Sequence, residues 1–172
     1  MGVFVQLYPV WRNHDILKGV KIRIFSTNVK SLLLYGCETW KTANQITRRL
    51  QTSTNKCLRR IMNIKWTDNI TNKELWGITK PKPIEIQIKR RKRNWIGHTL
   101  CKEAGTIEKT ALDWNPQGYR RRGRLKGTWR RTIEDEIRNT GKSWNEVKGI
   151  AGDRSAWKLI VDALCFTRSK MN

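Results

Sequence analysis

The acidic residues of this 172-residue chain are the natural starting point in a search for catalysis. Transfer of phosphoryl or nucleotidyl groups on two metal ions needs carboxylates that hold the ions roughly 4 Å apart. No two of the aspartates are adjacent, and the one acidic cluster is Glu134-Asp135-Glu136. Its spacing from Arg130 and Arg131 predicts i,i+4 ion pairs on a solvated helix face. We therefore expect no polymerase active site in this chain and no catalysis by the chain alone.

The histidines and cysteines offer little more chemistry. The segment from His98 to Cys101 would supply only half of a four-ligand zinc site, and a Cys–His nucleophile pair lacks a third group to orient the histidine. We expect neither a metal nor another cofactor. The four cysteines include no C-x-x-C pair, which favours buried free thiols in a reducing compartment, although four cysteines also permit two disulfides.

The charge of the chain points to a polyanionic partner. Lys plus Arg number 36 and Asp plus Glu number 14, which gives a net charge of +22. Residues 82–131 alone carry 15 basic and 4 acidic groups, whereas residues 132–172 carry 7 and 6. Repulsion on this scale weakens a compact chain unless an anionic partner neutralises it. No apolar run is long enough to span a membrane, so we expect RNA, an RNA–DNA hybrid or duplex DNA rather than a lipid bilayer.

The cations that we expect to contact phosphates fall into three groups. The first group lies on a basic amphipathic helix predicted over residues 42–64. The second is a run of five cations that spans about one and a half helical turns, so its members must surround the helix. The third lies in and after an arginine- and glycine-rich loop, where glycine lets the backbone approach a groove closely. The candidate residues are Arg48, Arg49, Lys56, Arg59 and Arg60; Lys89, Arg90, Arg91, Lys92 and Arg93; and Arg120, Arg121, Arg122, Arg124, Lys126, Arg130 and Arg131.

The elements that must position these cations are predicted to be helical. Apolar spacing predicts helices over 15–34, 42–64 and 84–101, and three more follow Gly127. Thr71 with Glu74, and Ser143 with Glu146, have the spacing of capping boxes. The predicted fold is all-α, an irregular bundle of about six helices with a basic loop near 113–128 and no large sheet.

Changes in composition divide the chain into four segments. We expect a poorly defined N-terminal segment over 1–14 and a helical segment over 15–80, which the resemblance described below implies to be thumb-like. A basic helix and Arg/Gly loop follow over 81–128, and a nearly neutral helical unit over 129–172. The most basic segment is thus flanked by segments that can supply packing.

Several ordered motifs carry a resemblance to a known family. Residues 33–40, Leu-Leu-Tyr-Gly-Cys-Glu-Thr-Trp, resemble the Leu-Tyr-Gly-x-Glu-x-Trp segment that follows the polymerase core of non-LTR (LINE-type) retrotransposon reverse transcriptases. Residues 93–98, Arg-Asn-Trp-Ile-Gly-His, are similar to that family's Arg-x-Trp-x-Gly-His segment. Arg122-Gly123-Arg124, Thr128-Trp129-Arg130-Arg131 and Asp153-Arg154-x-x-Trp157 follow in the family's order. The resemblance covers about residues 15–166.

The resemblance implies the role of a thumb and post-polymerase region that grips RNA or a template–primer duplex. The family's endonuclease and its catalytic palm would lie before Met1. Two positions depart from the family pattern: Leu125 replaces a proline after Gly-Arg, and Cys101 replaces an arginine after Gly-His. Phosphate contacts position a complex without reading its sequence, so the resemblance implies no base readout.

Two other interpretations stay open at this point. The chain could be a free-standing or domesticated architectural nucleic-acid-binding protein, or the product of a pseudogene without selected function. The cysteine pattern favours a reducing compartment, nuclear or cytoplasmic, and the basic runs favour the nucleus of the two. The sequence does not indicate protein partners.

Overall fold

A computed structural model describes residues 2–41, 43–114, 129–139 and 141–166. The described residues contain eleven α-helical segments and no β-strand, which confirms the all-α class. The helices are more numerous than the six predicted, because several are only four to seven residues long. So few residues complete at most two turns and give no clear apolar periodicity.

The chain folds as two compact units. The first contains residues 1–36 and 43–87, and the second contains residues 37–42 and 88–172. The four-segment division drawn from composition is not tested by this packing and stays a prediction. The described helices are α1 (Gly2–Gln6), α2 (Tyr8–Arg12), α3 (Lys18–Ile24), α4 (Lys30–Leu33), α5 (Asn44–Ile61), α6 (Asn72–Thr79), α7 (Ile84–Leu100), α8 (Ile107–Asp113), α9 (Trp129–Arg138), α10 (Trp144–Ile150) and α11 (Arg154–Phe166).

An aromatic cluster organises the first unit. The ring of Phe4 stacks on Trp11 at 5.2 Å and meets Phe25 edge-on at 6.3 Å. The indole nitrogen of Trp11 donates a hydrogen bond of 2.8 Å to the Phe4 carbonyl. Helices as short as α1 and α2 are unstable alone. Burial of these rings against Leu58 and Ile61 of α5 holds them in place.

The helix predicted over 15–34 begins at Lys18 and changes in its middle from α-helical to π-helical hydrogen bonding. A π-helical turn over Phe25–Val29 joins α3 to α4 without a break, and Gly36 follows with a φ of +66°. This positive φ, which glycine adopts readily, ends the helical segment.

The apolar face of α5 is present only toward the end of the helix. The spacing of Ile46, Leu50, Cys57 and Ile61 predicts a single apolar face, and Cys57 and Ile61 are buried, but Ile46 is 45% exposed. The buried face also includes Asn55, which accepts hydrogen bonds from the Trp76 indole at 3.0 Å and from Gln51 at 3.0 Å. A buried asparagine whose partners lie elsewhere in the chain does not appear in an apolar pattern.

The two predicted capping boxes are confirmed, and Asp153 caps the start of α11. Thr71 and Glu74 form the first box, and Ser143 and Glu146 form the second. The Asp153 carboxylate accepts from the backbone of residues 155 and 156 at 2.8 and 3.2 Å. Helix α6 continues through Gly77 to Thr79, and its C-cap residue, Lys80, has a φ of +45°.

A second apolar core lies within the second unit. Its buried members are Ile96 on α7, Leu112 on α8, Ile133 and Ile137 on α9, and Val147 on α10. Four tryptophans of this unit pack around the cluster. Helix α7, predicted over 84–101, is present as Ile84–Leu100 and carries much of this packing.

Candidate nucleic-acid interface

The solvent face of α5 carries a row of cations. Arg49, Lys56 and Arg60 are all exposed. They stand seven and four residues apart, so they share one face and span about 16 Å along the helix axis. No residue of α5 is acidic. We call these three residues the α5 cationic row.

The two other candidate cations of α5 differ in their surroundings. Arg48 is exposed on an adjacent face of the helix. Arg59 is half-buried, and its guanidinium donates to the Ile70 carbonyl at 2.7 Å and to the Asn72 side chain at 3.1 Å. Arg59 thus ties the end of α5 to the segment that leads into α6. Contact with phosphates stays a prediction for both residues.

The basic run on α7 lies partly inside the second unit. Lys92 is only 3% exposed and Arg93 only 6%. The Lys92 ammonium donates to the Trp40 carbonyl at 3.0 Å and lies 5.8 Å from the centre of the Trp129 ring. Burial lowers the pKa of Lys92, and the nearby carboxylate of Glu136 partly opposes that shift.

Carboxylates of the same unit take up other members of the run. Arg93 pairs with Glu136 at 2.9 Å, and Arg90 pairs with Asp162. Lys89 and Arg91 are half-buried and also have partners within the protein. The structure therefore does not present the five cations as one free surface. Their contact with nucleic acid is untested.

At the start of α9 one of the two predicted i,i+4 ion pairs is confirmed, and the carboxylate of the other is paired with Arg138. Arg130 pairs with Glu134 at 2.8 Å, which confirms that i,i+4 pair, and its guanidinium lies 5.7 Å from the Trp144 ring centre. Asp135 lies 3.6 Å from Arg138. Arg131 is exposed and has contacts within the protein. The acidic cluster is thus engaged in ion pairs.

The basic loop lies outside the described residues. Its five candidates are Arg120, Arg121, Arg122, Arg124 and Lys126. Their predicted contact with phosphates remains an expectation from the sequence.

The motif segments of the second unit pack against one another, an arrangement that the order of the motifs does not predict. The Trp129 indole donates to the Glu38 carbonyl at 2.8 Å, and its ring meets Trp95 edge-on at 5.8 Å. Gly97 lies directly against the Trp157 indole, where a Cβ atom would clash. Segments 37–40, 93–98, 129–131 and 153–157 therefore build a common scaffold. The signal available in the sequence was their tryptophans, which are large enough to bridge distant segments.

The described residues show no assembled metal site. They contain no group of three or more His, Cys, Asp or Glu side chains that could hold an ion. Cys37 and Cys57 are buried free thiols as predicted, and burial raises the pKa of each. Cys101 is exposed, contrary to that prediction, because it lies just beyond the end of α7. No helix in the described part of the chain has the length and apolarity that crossing a bilayer requires.

Comparison with known proteins gives a partial assignment. Residues 3–35 match a family model described as a domain of unknown function (DUF6451), which is less than a quarter of the chain. A Caenorhabditis elegans protein described as transposon-derived and uncharacterized is 24% identical over 153 residues, or 84% of this chain. The chain spans about half the length of that relative, 54%. No solved structure matches the chain.

Proposed function

We propose that the chain is a nucleic-acid-binding part of a non-LTR retrotransposon reverse transcriptase. In this role it holds RNA or a template–primer duplex by the phosphate backbone and has no polymerase site of its own. The α5 cationic row is the observation that carries the proposal. Similarity to a transposon-derived protein supports an origin in a transposable element.

The row differs from the cations of the second unit in what surrounds it. There, Arg90, Arg93 and Arg130 each meet a carboxylate. On α5 no carboxylate interrupts the helix. Three like charges along one face repel one another, and a strand of phosphates relieves this repulsion while releasing its condensed counterions.

The proposal separates the candidate cations by role. Among the candidate cations, the exposed ones contact phosphates: Arg48, Arg131 and the α5 cationic row. Lys92 and Arg93 act on the scaffold instead, because their charged groups are directed to Trp40 and Glu136. The loop arginines add further phosphate contacts, which follows from the sequence alone.

Binding of labelled RNA, RNA–DNA hybrid and duplex DNA at several salt concentrations tests the proposal. The test variant is Arg49→Gln, Lys56→Gln and Arg60→Gln together. The control variant, Arg23→Gln, Lys73→Gln and Lys82→Gln, removes the same charge from exposed positions that do not lie on α5. The slope of log K against log salt is negative. For duplex DNA, removal of three phosphate contacts should make this slope less negative by about 2.7. The control variant should change this slope much less.

The outcomes separate the parts of the proposal. Equal slopes for the two triple variants would remove the α5 cationic row from the interface. If the wild-type chain binds none of the three nucleic acids at low salt, the proposed function is wrong. Template-dependent primer extension by the purified chain would show that it does contain a polymerase site.

A further inference from the structure

An open groove lies in the first unit, beside the aromatic cluster that contains Phe4 and Trp11. Its volume is about 1190 Å³. Helices α1 and α2, the start of α3 and the end of α5 form its walls. Pockets for drug-sized ligands measure roughly 300–1,000 Å³, so this groove has room for a short segment of a polymer.

The charged groups that line the groove are cations. Arg12, Lys18, Lys21 and Arg60 line it, and no carboxylate is among the described residues that do so. Lys21 is buried, and its ammonium donates to the Trp11 carbonyl at 2.9 Å. Its charge therefore adds to the positive potential of the groove that it lines. Lys18 and Arg12 are exposed and can reach a ligand directly. The groove therefore favours an anion.

An aromatic side chain stands beside these cations. The guanidinium of Arg12 lies 4.7 Å from the centre of the Tyr8 ring. Tyr8 remains 43% exposed, which leaves ring surface for another planar group. A cationic groove beside an exposed aromatic ring is the arrangement that binds single-stranded nucleic acid, where bases stack and the backbone follows the positive charge.

We propose that this groove binds a single-stranded segment of RNA or DNA, with a base stacked on Tyr8 and phosphates held by Arg12 and Lys18. The inference rests on the proposed function and adds to it a site for unpaired nucleotides. Arg60 belongs both to the groove and to the α5 cationic row, so a strand held along α5 can continue into the groove. An acidic peptide would satisfy the cations but would make no use of the exposed ring.

The test uses the full chain and an eight-nucleotide single strand that carries the fluorescent base 2-aminopurine at its centre, made both as DNA and as RNA. Stacking quenches this base, so binding to Tyr8 should lower its emission. Tyr8→Leu keeps apolar bulk but removes the ring, whereas Tyr8→Phe keeps the ring. We expect Tyr8→Leu to lose the quenching and to bind at least about fivefold more weakly, and Tyr8→Phe to retain both.

A second pair of variants tests the cationic part of the groove. For the single strand, Lys18→Gln should make the slope of log K against log salt less negative by about 0.7, the value for one phosphate contact. Arg23→Gln removes the same charge from an exposed position on the same helix but outside the groove, and should leave the slope unchanged. Melting temperatures of all four variants verify that the chain remains folded.

The outcomes distinguish this inference from the proposed function. Loss of single-strand binding in Tyr8→Leu, with duplex binding retained, supports the groove as the site. Unchanged quenching in folded Tyr8→Leu, while the wild-type chain binds duplexes, overturns the groove and leaves the proposed function standing. Displacement of the strand by polyglutamate at equal charge would show that only charge is recognised, which also overturns the site. If the wild-type chain binds neither single strands nor duplexes, both proposals are wrong.

Discussion

Gly97→Ala probes the scaffold that the motif segments form. A Cβ atom at this position would lie 2.7 Å from Cδ1 of Trp157 and closer still to two other indole atoms. Overpacking of this kind costs about 1–3 kcal/mol. Replacement of glycine by alanine within a helix contributes about 1 kcal/mol in the opposite direction. Because a rigid indole must move, we expect an overpacking cost of about 2–3 kcal/mol, in the upper part of this range, and thus a net loss of about 1–2 kcal/mol in the free energy of unfolding.

Urea denaturation followed by circular dichroism measures this loss. Gly149→Ala is the matched control, since Gly149 lies on α10 of the same unit and has open space where its Cβ would be. We expect the control to be as stable as the wild type or up to about 1 kcal/mol more stable. In a Trp157→Leu background the clash is removed, and Gly97→Ala should then no longer destabilise the chain.

Two results would refute this reasoning. One is a change of the same sign and size for Gly97→Ala and Gly149→Ala, since helix propensity alone would then account for both. The other is an equal penalty for Gly97→Ala with Trp157 or with leucine at that position. Either result would mean that contact between α7 and α11 does not depend on the absent Cβ.

Three further predictions concern the core, the loop and the response to acid. Trp157→Ala should cost about 3–5 kcal/mol of unfolding free energy, and an unaltered melting temperature would contradict its place in the second core. Replacing the four arginines at 120–124 with alanine should weaken binding to all sequences and reduce the salt slope, whereas an unchanged slope would remove the loop from the interface. Backbone hydrogen bonds in the two capping boxes lower the pKa of Glu74 and of Glu146. The stability they contribute is therefore fully present above about pH 4.3 and lost as the pH falls through the lower folded-state pKa. Melting temperatures between pH 6 and pH 2 should fall less in a variant with both glutamates changed to glutamine, and parallel curves would count against this assignment.

Helix α7 shows both how far sequence reasoning reaches and where it stops. Apolar spacing predicts its bounds to within one residue. Five consecutive cations must surround a helix, so some had to face inward. Which of them do so depends on Trp40 and Glu136, which lie 52 and 43 positions away in the chain. Local patterns contain no information about partners so distant.

Only part of the candidate interface could be predicted from the sequence, again because local patterns do not show distant contacts. The exposed cations of α5 follow from a long amphipathic helix, even though its buried face also includes Asn55. The groove beside Tyr8 did not, because α1 and α2 have five residues each and show no periodicity. Its walls are brought together by the ring contacts of Phe4, which only the folded chain reveals.

The close contact of Gly97 with Trp157 has a consequence for how such motifs are used to recognise distant relatives. A glycine and a tryptophan that must fit together will be retained by any descendant that keeps the architecture, whatever chemistry it has gained or lost. A match to these motifs in another sequence therefore indicates that the fold is shared. Whether that protein binds nucleic acid has to be judged from its exposed residues instead.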